Sequence, residues 1–544
     1  MVMNHVNSAP GGLLYFLVIL ATACFGANNE KPVVTGKWGR FEQSFKSSVS
    51  YTSPVQEANL TVVFQGPAEQ MSEVSGFWDG ETTWRVRFSP SHVGRWMFRT
   101  KCSDPTNKGL HNQTGTFTCT PATGNSRFDQ HGPIRVSSDH RHFEHADGTP
   151  FFWLADTVWN GPRVSEPKNW EFYAFIRASQ QFTAVQWAVA PGQDANGEYA
   201  ITGSMHRLDV NPAFFRRLEA KMDILTRLGI LNVIVPLLEI GSHKELGTTL
   251  SDEQAALFTR YLAARWGADP IAWLFAFETD TRARKVARWK KIGQTTFDRG
   301  AQAPVILYPG ETTWVLDEFR NESWVDAFGY RNVTGVSEDA LKLAVAGPFS
   351  KEWKTQPERP MIIFSPHENE LSPQSSKRVS CEDVRRAIFW GLLQAPPAGV
   401  SYGAQGVAQW DTKKQSQEPG DLPIWKKSLF LPGAKQMGHA SKFMNSIDFW
   451  KLRPQPQFLA AQPGDAAPGR YIAASGLSNK ALTLVYVPED RQLELFSEVL
   501  PLAPTITWLN PRTGESSEAV AILGRTCQIP TPDPGDWLLI VRGK

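Results

Sequence analysis

The chain has 544 residues, of which 41% are hydrophobic and 20% are charged, and its formal net charge at pH 7 is +2. This composition is typical of a globular protein and excludes an intrinsically disordered chain. The balanced charge gives no reason to expect nucleic acid or an acidic membrane surface as a partner. Since a chain of this length is too long to fold around one hydrophobic core, we expect about three domains.

Residues 1–27 are predicted to be a signal peptide. Gly12 to Ala23 is an apolar run of the length of a signal-peptide hydrophobic region, and it is too short to span a bilayer comfortably. Ala23 ends an acceptable cleavage site, and Cys24 completes a loose lipobox. We therefore expect an exported protein, extracellular or periplasmic, that is either free or lipid-anchored through Cys24. No other stretch is long enough for a transmembrane span.

Residues 28–126 are predicted to form an N-terminal immunoglobulin-like β-sandwich. Short alternating runs separated by turn residues, such as LTVVFQGP and TWRVRFSP, are typical of antiparallel sheets. Cys102 and Cys119 end two runs that we expect to be adjacent strands. In an oxidising compartment these two cysteines could form a disulfide.

Residues 127–453 are predicted to form a (β/α)8 TIM barrel. Eight apolar runs alternate with segments of helical periodicity over this region. The predicted strands are Phe151–Asp156, Phe182–Ala188, Leu231–Glu239, Ala272–Glu278, Pro304–Pro309, Trp324–Tyr330, Pro360–Ser365 and Gly399–Gly403. The alternative is a doubly wound open sheet, but no glycine-rich phosphate turn follows any strand.

Residues 454–544 are predicted to form a C-terminal β-sandwich, because short strand-like runs such as LTLVYVP and DWLLIV return there. The sequence makes no prediction about the role of either sandwich or about the oligomeric state. The predicted architecture is therefore multidomain, with a central barrel flanked by two sandwiches.

The candidate site residues lie at the predicted carboxyl ends of the barrel strands, where such barrels build their active sites. They are Asp156, Trp159, Trp187, Glu239, Glu278, Asp280, Tyr330, His367, Glu368, Glu370, Tyr402 and Trp410. The set consists mainly of carboxylates and aromatics. Glycoside hydrolysis uses two carboxyl groups, and an indole packs well on the apolar face of a pyranose.

Glu278 is the predicted proton donor, because it ends the apolar run IAWLFAFE, where burial would raise its pKa. Glu368 and Glu370 are the candidates for the second catalytic carboxylate, and the other nine residues are predicted to bind substrate. His367 and Glu368 begin like a zinc-protease motif, but Leu371 stands where the second histidine is required. We therefore disfavour a metalloprotease and expect no metal or other cofactor.

Four segments resemble the apiosidase-like glycoside hydrolases, in the same order and at predicted strand positions. They are DGTPFFWLADTVW, the NP-x-FF segment, RYLAARWGADPIAWLFAFE and GVSYGAQGVAQW. The N-terminal region, with VSGFWDG and VGRW, resembles a β-sandwich domain of unknown function that often precedes such barrels. The last 90 residues or so, with VYVP and WLNPRTG, resemble a module labelled as collagen-binding, a label that we do not take as evidence of collagen binding.

The resemblance implies a retaining hydrolase that acts on a plant or microbial polysaccharide, with Glu278 as its acid/base. It also implies a nucleophile in an E-P-x-Y-E pattern after the seventh strand. This chain departs from that pattern, because Ser365-Pro366 stands where Glu-Pro is expected. The nearest carboxylates are those of Glu368 and Glu370.

Two hypotheses follow. The first is an exported glycoside hydrolase that cleaves a complex polysaccharide or oligosaccharide by double displacement. The alternative, motivated by Ser365, is a catalytically inactive protein that binds glycan or a matrix protein on the same scaffold. The sequence does not predict the sugar, the linkage, or exo against endo action, because loops rather than the fold decide these.

Overall fold

A computed structural model describes residues 33–543 apart from 205–206, 240–245, 278–281, 298–301, 310–314, 332–337, 372–376, 413–423 and 523. The predicted signal peptide and Cys24 therefore lie outside the described residues. Among the described residues, no helix combines the length and the apolar character that crossing a membrane requires.

The N-terminal domain is a sandwich of two sheets. Its strands are β1 (Val34–Gly36), β2 (Phe41–Lys46), β3 (Leu60–Gln65), β4 (Met71–Ser75), β5 (Phe77–Trp78), β6 (Thr83–Phe88), β7 (Gly94–Cys102) and β8 (Thr114–Thr120), with a short helix α1 (Pro54–Glu57). One sheet has the order β1-β8-β7-β3-β4 and the other β2-β6-β5. Alternate side chains of β7, including Trp96 and Phe98, are buried between the sheets, as the alternating sequence predicts.

Cys102 and Cys119 do not form the disulfide that the sequence allows, and both residues are free, buried thiols. Strands β7 and β8 are indeed adjacent and antiparallel, but Cys119 is in register with Gly94, at the opposite end of β7 from Cys102. At about 3.4 Å per residue, the two thiols are far beyond the reach of a disulfide.

A small sheet closes the bottom of the next domain. It follows α2 (Arg127–His131) and consists of β9 (Ile134–Val136), β10 (Phe143–His145) and β11 (Pro150–Phe151). Phe143 packs 5.3 Å from Trp153 in the same apolar cluster as the barrel interior. The amino-terminal end of the barrel is therefore plugged.

Eight parallel strands form the closed barrel, which confirms the predicted fold. They are β12 (Trp153–Thr157), β13 (Ala184–Ala188), β16 (Leu231–Val235), β18 (Ile271–Phe277), β19 (Val305–Pro309), β20 (Ala327–Arg331), β21 (Met361–Phe364) and β22 (Gly399–Gly403). A pairing of β16 with β18 completes the ring, and β17 (Leu238–Glu239) extends the third strand along β18.

Helices surround the barrel. They are α3 (Gly161–Val164), α4 (Pro167–Ser179), α5 (Pro212–Arg227), α6 (Leu246–Thr249), α7 (Asp252–Trp266), α8 (Arg282–Phe297), α9 (Glu338–Ala346), α10 (Phe349–Glu352), α11 (Cys381–Gln394), α12 (Trp425–Ser428) and α13 (Pro432–Met444). An antiparallel hairpin, β14 (Ile201–Ser204) and β15 (Arg207–Val210), stands between β13 and α5. The sequence prediction did not include this hairpin.

The N-terminal sandwich is joined to the barrel by buried ion pairs. Arg87 of β6 donates to Glu219 of α5 at 2.7 and 3.1 Å, and Arg265 of α7 donates to the same carboxylate at 2.5 and 3.1 Å. Burial alone would raise the pKa of Glu219, but the hydrogen bonds from Arg87 and the charge of Arg265 hold it at about 2. The carboxylate therefore stays ionised at the junction.

The C-terminal domain packs on the opposite group of helices. Its strands are β23 (Arg453–Pro454), β24 (Ala473–Gly476), β25 (Leu482–Val487), β26 (Gln492–Phe496), β27 (Thr505–Leu509), β28 (Ser516–Glu518), β29 (Thr526–Pro530) and β30 (Trp537–Arg542). Tyr486 stacks on Phe389 of α11 at 4.9 Å, whereas Val485 faces the interior of the domain. Both faces of strand β25 are buried, and all of its residues except Thr483 are hydrophobic.

Candidate active site

The inner surface of the barrel is defined by alternate residues of each strand. Trp153 and Ala155 of β12 lie in the interior cluster, whereas Leu154 belongs to the core under the helices. Thr157 of β12 is in register with Gln186 of β13, so both residues lie at the carboxyl end of the barrel and face its interior. Gln186 Nε2 donates to Thr157 Oγ1 at 2.6 Å, so polar groups begin where the apolar interior ends.

His367 lies at the inner edge of the barrel mouth. Gly403 is in register with Thr157, so a side chain at Gly403 would face the interior, and there it would overlap the imidazole ring of His367. The His367 ring therefore occupies space above the eighth strand that the glycine leaves free. Burial lowers the pKa of His367, which keeps the imidazole neutral near pH 7.

Glu370 is the carboxylate that accompanies His367. Its Oε2 lies 3.8 Å from His367 Nδ1, and its backbone N donates to the carbonyl of His367 at 3.1 Å. One third of the Glu370 side chain is exposed to solvent. A carboxylate that is partly exposed beside a neutral imidazole at the barrel mouth is available to a substrate.

Glu368 faces away from the mouth. Its Oε2 accepts a 2.5 Å hydrogen bond from the Tyr402 hydroxyl and a 3.0 Å bond from the backbone N of Gly433, at the start of α13. Burial raises its pKa, and those two hydrogen bonds oppose the rise. Glu368 thus joins the loop after β21 to β22 and to α13, and it lies on the helix side of the wall.

Asp156 also lies in the wall and not in the mouth. It is fully buried, and its Oδ2 accepts hydrogen bonds of 2.6 Å from both Tyr173 and Arg177 of α4. Since Thr157 is the neighbour that faces the interior, Asp156 points to the helices. In the structure Asp156, a predicted substrate-binding residue, therefore contacts helix α4.

Five other predicted substrate-binding residues face the helices in the same way. Trp187 packs on Trp266, Tyr330 stacks on Phe349, Tyr402 bonds Glu368, Glu239 accepts from Trp289, and Trp410 stacks on Trp425. Four of them are less than one tenth exposed, and the fifth, Tyr330, packs with its ring against α10. In the structure these five side chains therefore pack on the outer side of the barrel wall.

Three mouth residues complete the inner surface. Trp159, which the sequence analysis selected, belongs to the interior cluster and is 7% exposed. Tyr308 and Arg331 were missed. Tyr308 is the last but one residue of the fifth strand and stacks on Phe364 at 4.0 Å. Arg331 is in register with Phe364, which faces the interior, and its charge contributes to the lowered pKa of His367.

Ser365, at the position where the family pattern has a glutamate, is buried. Its backbone N donates to the carbonyl of Ser401 at 2.9 Å, and its Oγ donates to the carbonyl of Pro366 at 3.2 Å. Glu278 and Asp280 lie outside the described residues. Within the described part of the chain, no cluster of three or more His, Cys, Asp or Glu side chains could hold a metal ion.

Comparisons with known families match both the barrel and the first sandwich. A family model described as "Apiosidase-like, catalytic domain" matches residues 137–451. A second model, of a domain of unknown function (DUF5060), matches residues 34–103. A comparison with curated proteins gave no match.

Solved structures share the fold at low sequence identity. A glycoside hydrolase aligns with a TM-score of 0.66 and 19% identity, over 78% of this chain and 99% of its own. A family 5 glycoside hydrolase from Bacteroides vulgatus has a TM-score of 0.67 and 19% identity, over 77% of this chain and 95% of its own. Another Bacteroides vulgatus protein, assigned to the glycoside hydrolases, has a TM-score of 0.69 and 19% identity, over 94% of this chain and all of its own.

Proposed function

Since the chain belongs to the apiosidase-like family and is a glycoside hydrolase, we propose that it cleaves a complex polysaccharide with retention of anomeric configuration. The proposed proton donor is Glu278, and the proposed nucleophile is Glu370. The observation that carries this assignment is the family match over the barrel, together with the partly exposed Glu370 beside His367 at its mouth.

The choice of Glu370 over Glu368 rests on their surroundings. Both oxygens of Glu368 receive a hydrogen bond from Gly433, and Tyr402 adds a third to Oε2, so attack would require these bonds to break. Glu370 has no comparable hydrogen bonds among the described residues. Its Oε2 is buried without a hydrogen-bond donor, beside the imidazole of His367. An acceptor with an unused lone pair is better suited to attack.

Support for Glu278 comes from the strand that precedes it in the sequence. Ala272, Leu274 and Ala276 of β18 belong to the interior cluster, and Phe275 belongs to the outer core. Glu278 follows Phe277, the last residue of β18, in the sequence, and barrels of this class build their active sites at the carboxyl ends of their strands. We therefore propose that the Glu278 carboxyl acts in the mouth as general acid and base.

The proposed reaction has two steps. Glu370 attacks the anomeric carbon as the glycosidic C–O bond breaks, and Glu278 gives its proton to the departing oxygen. Glu278, now ionised, takes a proton from water, whose oxygen attacks the anomeric carbon and releases Glu370. The Arg331 guanidinium would stabilise the carboxylate that is released. No metal or organic cofactor enters this scheme.

The test is product release from soluble plant polysaccharides by the full chain and by Glu278→Gln. We expect reducing sugar from the unaltered chain and at least a 1,000-fold lower rate from the variant, with unchanged thermal unfolding. Early products followed by NMR would retain the anomeric configuration. An unchanged rate in Glu278→Gln would show that Glu278 takes no part in the reaction. Products of inverted anomeric configuration would exclude a double-displacement mechanism.

One observation favours the alternative of binding without turnover, namely that Ser365 occupies the family's nucleophile position and its hydroxyl donates to the carbonyl of Pro366. Calorimetric binding to a polysaccharide with no Glu278-dependent product would support that alternative.

We also propose that the chain is exported, because of the apolar run before Cys24. Cleavage before Cys24 would be visible by mass spectrometry of the mature protein. A diacylglycerol adduct that is lost in Cys24→Ser would distinguish a lipid anchor from free secretion.

A further inference from the structure

A cavity of about 450 Å³ lies where the N-terminal sandwich meets the β14–β15 hairpin of the barrel domain. Its walls come from three segments, namely the loop after β2, the turn between β5 and β6, and strand β15. Its volume falls in the range of small-ligand sites. The cavity is separate from the residues of the barrel mouth described above.

The lining combines aromatic rings with uncharged and acidic polar groups. Trp78 and Tyr51 are partly exposed, and Ser50, Thr82 and Glu81 are exposed beside them. An aromatic ring with hydroxyl and carboxylate groups around it is the combination that binds the apolar face and the hydroxyls of a sugar. The described residues that line the cavity include no lysine, arginine or histidine. A phosphate or another anion is therefore a poor ligand, and a neutral sugar is a good one.

The loop after β2 is held in place without a ligand. Asn107 is fully buried, and its Nδ2 donates to Ser47 Oγ at 2.7 Å and to Tyr51 Oη at 3.0 Å. Tyr51 donates in turn to Asp104 at 2.8 Å. The ring of Tyr51 thus has a fixed orientation, which lowers the entropy that binding would cost.

The other two walls are fixed as well. Trp78 Nε1 donates to the carbonyl of Glu81 at 2.8 Å, and the Trp78 carbonyl accepts from Tyr261 of α7 at 3.2 Å. The backbone N of Leu208 in β15 donates to the side chain of Gln56 at 3.1 Å, which joins the hairpin to α1. A rigid, concave surface with aromatic and polar groups is what a preorganised sugar site requires.

The hairpin also relates the cavity to the barrel. Strands β14 and β15 follow the carboxyl end of β13, so the hairpin rises from the end of the barrel that carries the mouth. We propose that this cavity is a second carbohydrate-binding site, which takes a neutral pentose or hexose unit and is built jointly by the N-terminal sandwich and the hairpin. The choice of a carbohydrate as the ligand rests on the proposed function, whereas the existence of the site does not.

The test uses the full chain carrying Glu278→Gln, so that turnover plays no part. The probes are the methyl glycosides of glucose, galactose, mannose, xylose and arabinose, each measured by saturation-transfer NMR. Ser50→Trp fills the cavity from an exposed position, and Thr82→Trp does so from another wall. Thr116→Trp, on an exposed face of β8 outside the cavity, is the matched control.

We expect at least one glycoside to give saturation transfer that falls 5-fold or more in Ser50→Trp and in Thr82→Trp and stays unchanged in Thr116→Trp. Absence of transfer from all five glycosides, or equal transfer in all variants with unchanged thermal unfolding, would overturn the site. Cavity-dependent transfer, together with no product release by the unaltered chain, would refute the proposed hydrolysis and leave this site intact.

Discussion

The hydroxyl of Tyr402 lies 2.5 Å from Oε2 of Glu368, on the helix side of the barrel wall. Tyr402 belongs to the last barrel strand, and Glu368 also accepts from the first turn of α13 through Gly433. This contact separates two glutamates that stand two residues apart in the sequence. It makes Glu368 part of the scaffold and leaves Glu370 at the mouth.

Glu368→Ala should lower stability and leave the chemistry nearly intact. The change leaves the buried Tyr402 hydroxyl and the Gly433 N–H without their acceptor, at a cost of about 2–4 kcal/mol in the free energy of unfolding. Urea denaturation measures this loss, and kcat of the folded fraction should stay within about 3-fold. A fall in kcat of about 100-fold at full stability would instead place Glu368 in the reaction.

Glu370→Ala is the matched counterpart and should have the opposite outcome. Because the side chain is one third exposed, the free energy of unfolding should change by less than about 1 kcal/mol. We expect kcat to fall about 1,000-fold or more. Azide should restore part of the rate and give a glycosyl azide of inverted configuration. Activity that survives the substitution would exclude Glu370 as nucleophile.

Asp156→Asn should destabilise the protein without weakening substrate binding. Arg177 is fully buried and pairs with Asp156 at 2.6 Å, so the substitution leaves a buried guanidinium without its counter-charge. The expected loss is about 3–5 kcal/mol in the free energy of unfolding. KM of the folded enzyme should not change. A raised KM at unchanged thermal unfolding would return Asp156 to the substrate site.

The junction of the N-terminal sandwich should weaken in acid. The pKa of Glu219 is about 2 in the folded chain against an ordinary 4.5, so its ionised form is favoured by folding. The contribution of Glu219 to stability is complete above pH 4.5 and is lost as the pH falls towards 2, on the order of 3 kcal/mol in total. Unfolding midpoints in urea between pH 6 and 3 measure it. Glu219→Gln should make the unfolding midpoint less dependent on pH. An equally steep pH dependence in the variant would show that other titratable groups cause it.

Periodicity in the sequence was sufficient to predict the barrel strands, and β22 begins and ends at the predicted residues. The sequence analysis did not predict which side chains of each strand point into the barrel. Asp156, Trp187, Tyr330 and Tyr402 each stand one residue from a position that faces the interior, namely Thr157, Gln186, Arg331 and Gly403. Strands of a parallel barrel are buried on both faces, so their sequences lack the alternation that would show which side is inward.

What the sequence determined by itself is the order of the eight barrel strands, because local periodicity, caps and turns are encoded over a few residues. Only the tertiary structure shows the different surroundings of Glu368 and Glu370, the separation of Cys102 from Cys119, and the cavity beside Trp78. Each depends on which residues of distant segments meet, and one residue of strand register reverses the side on which a side chain lies.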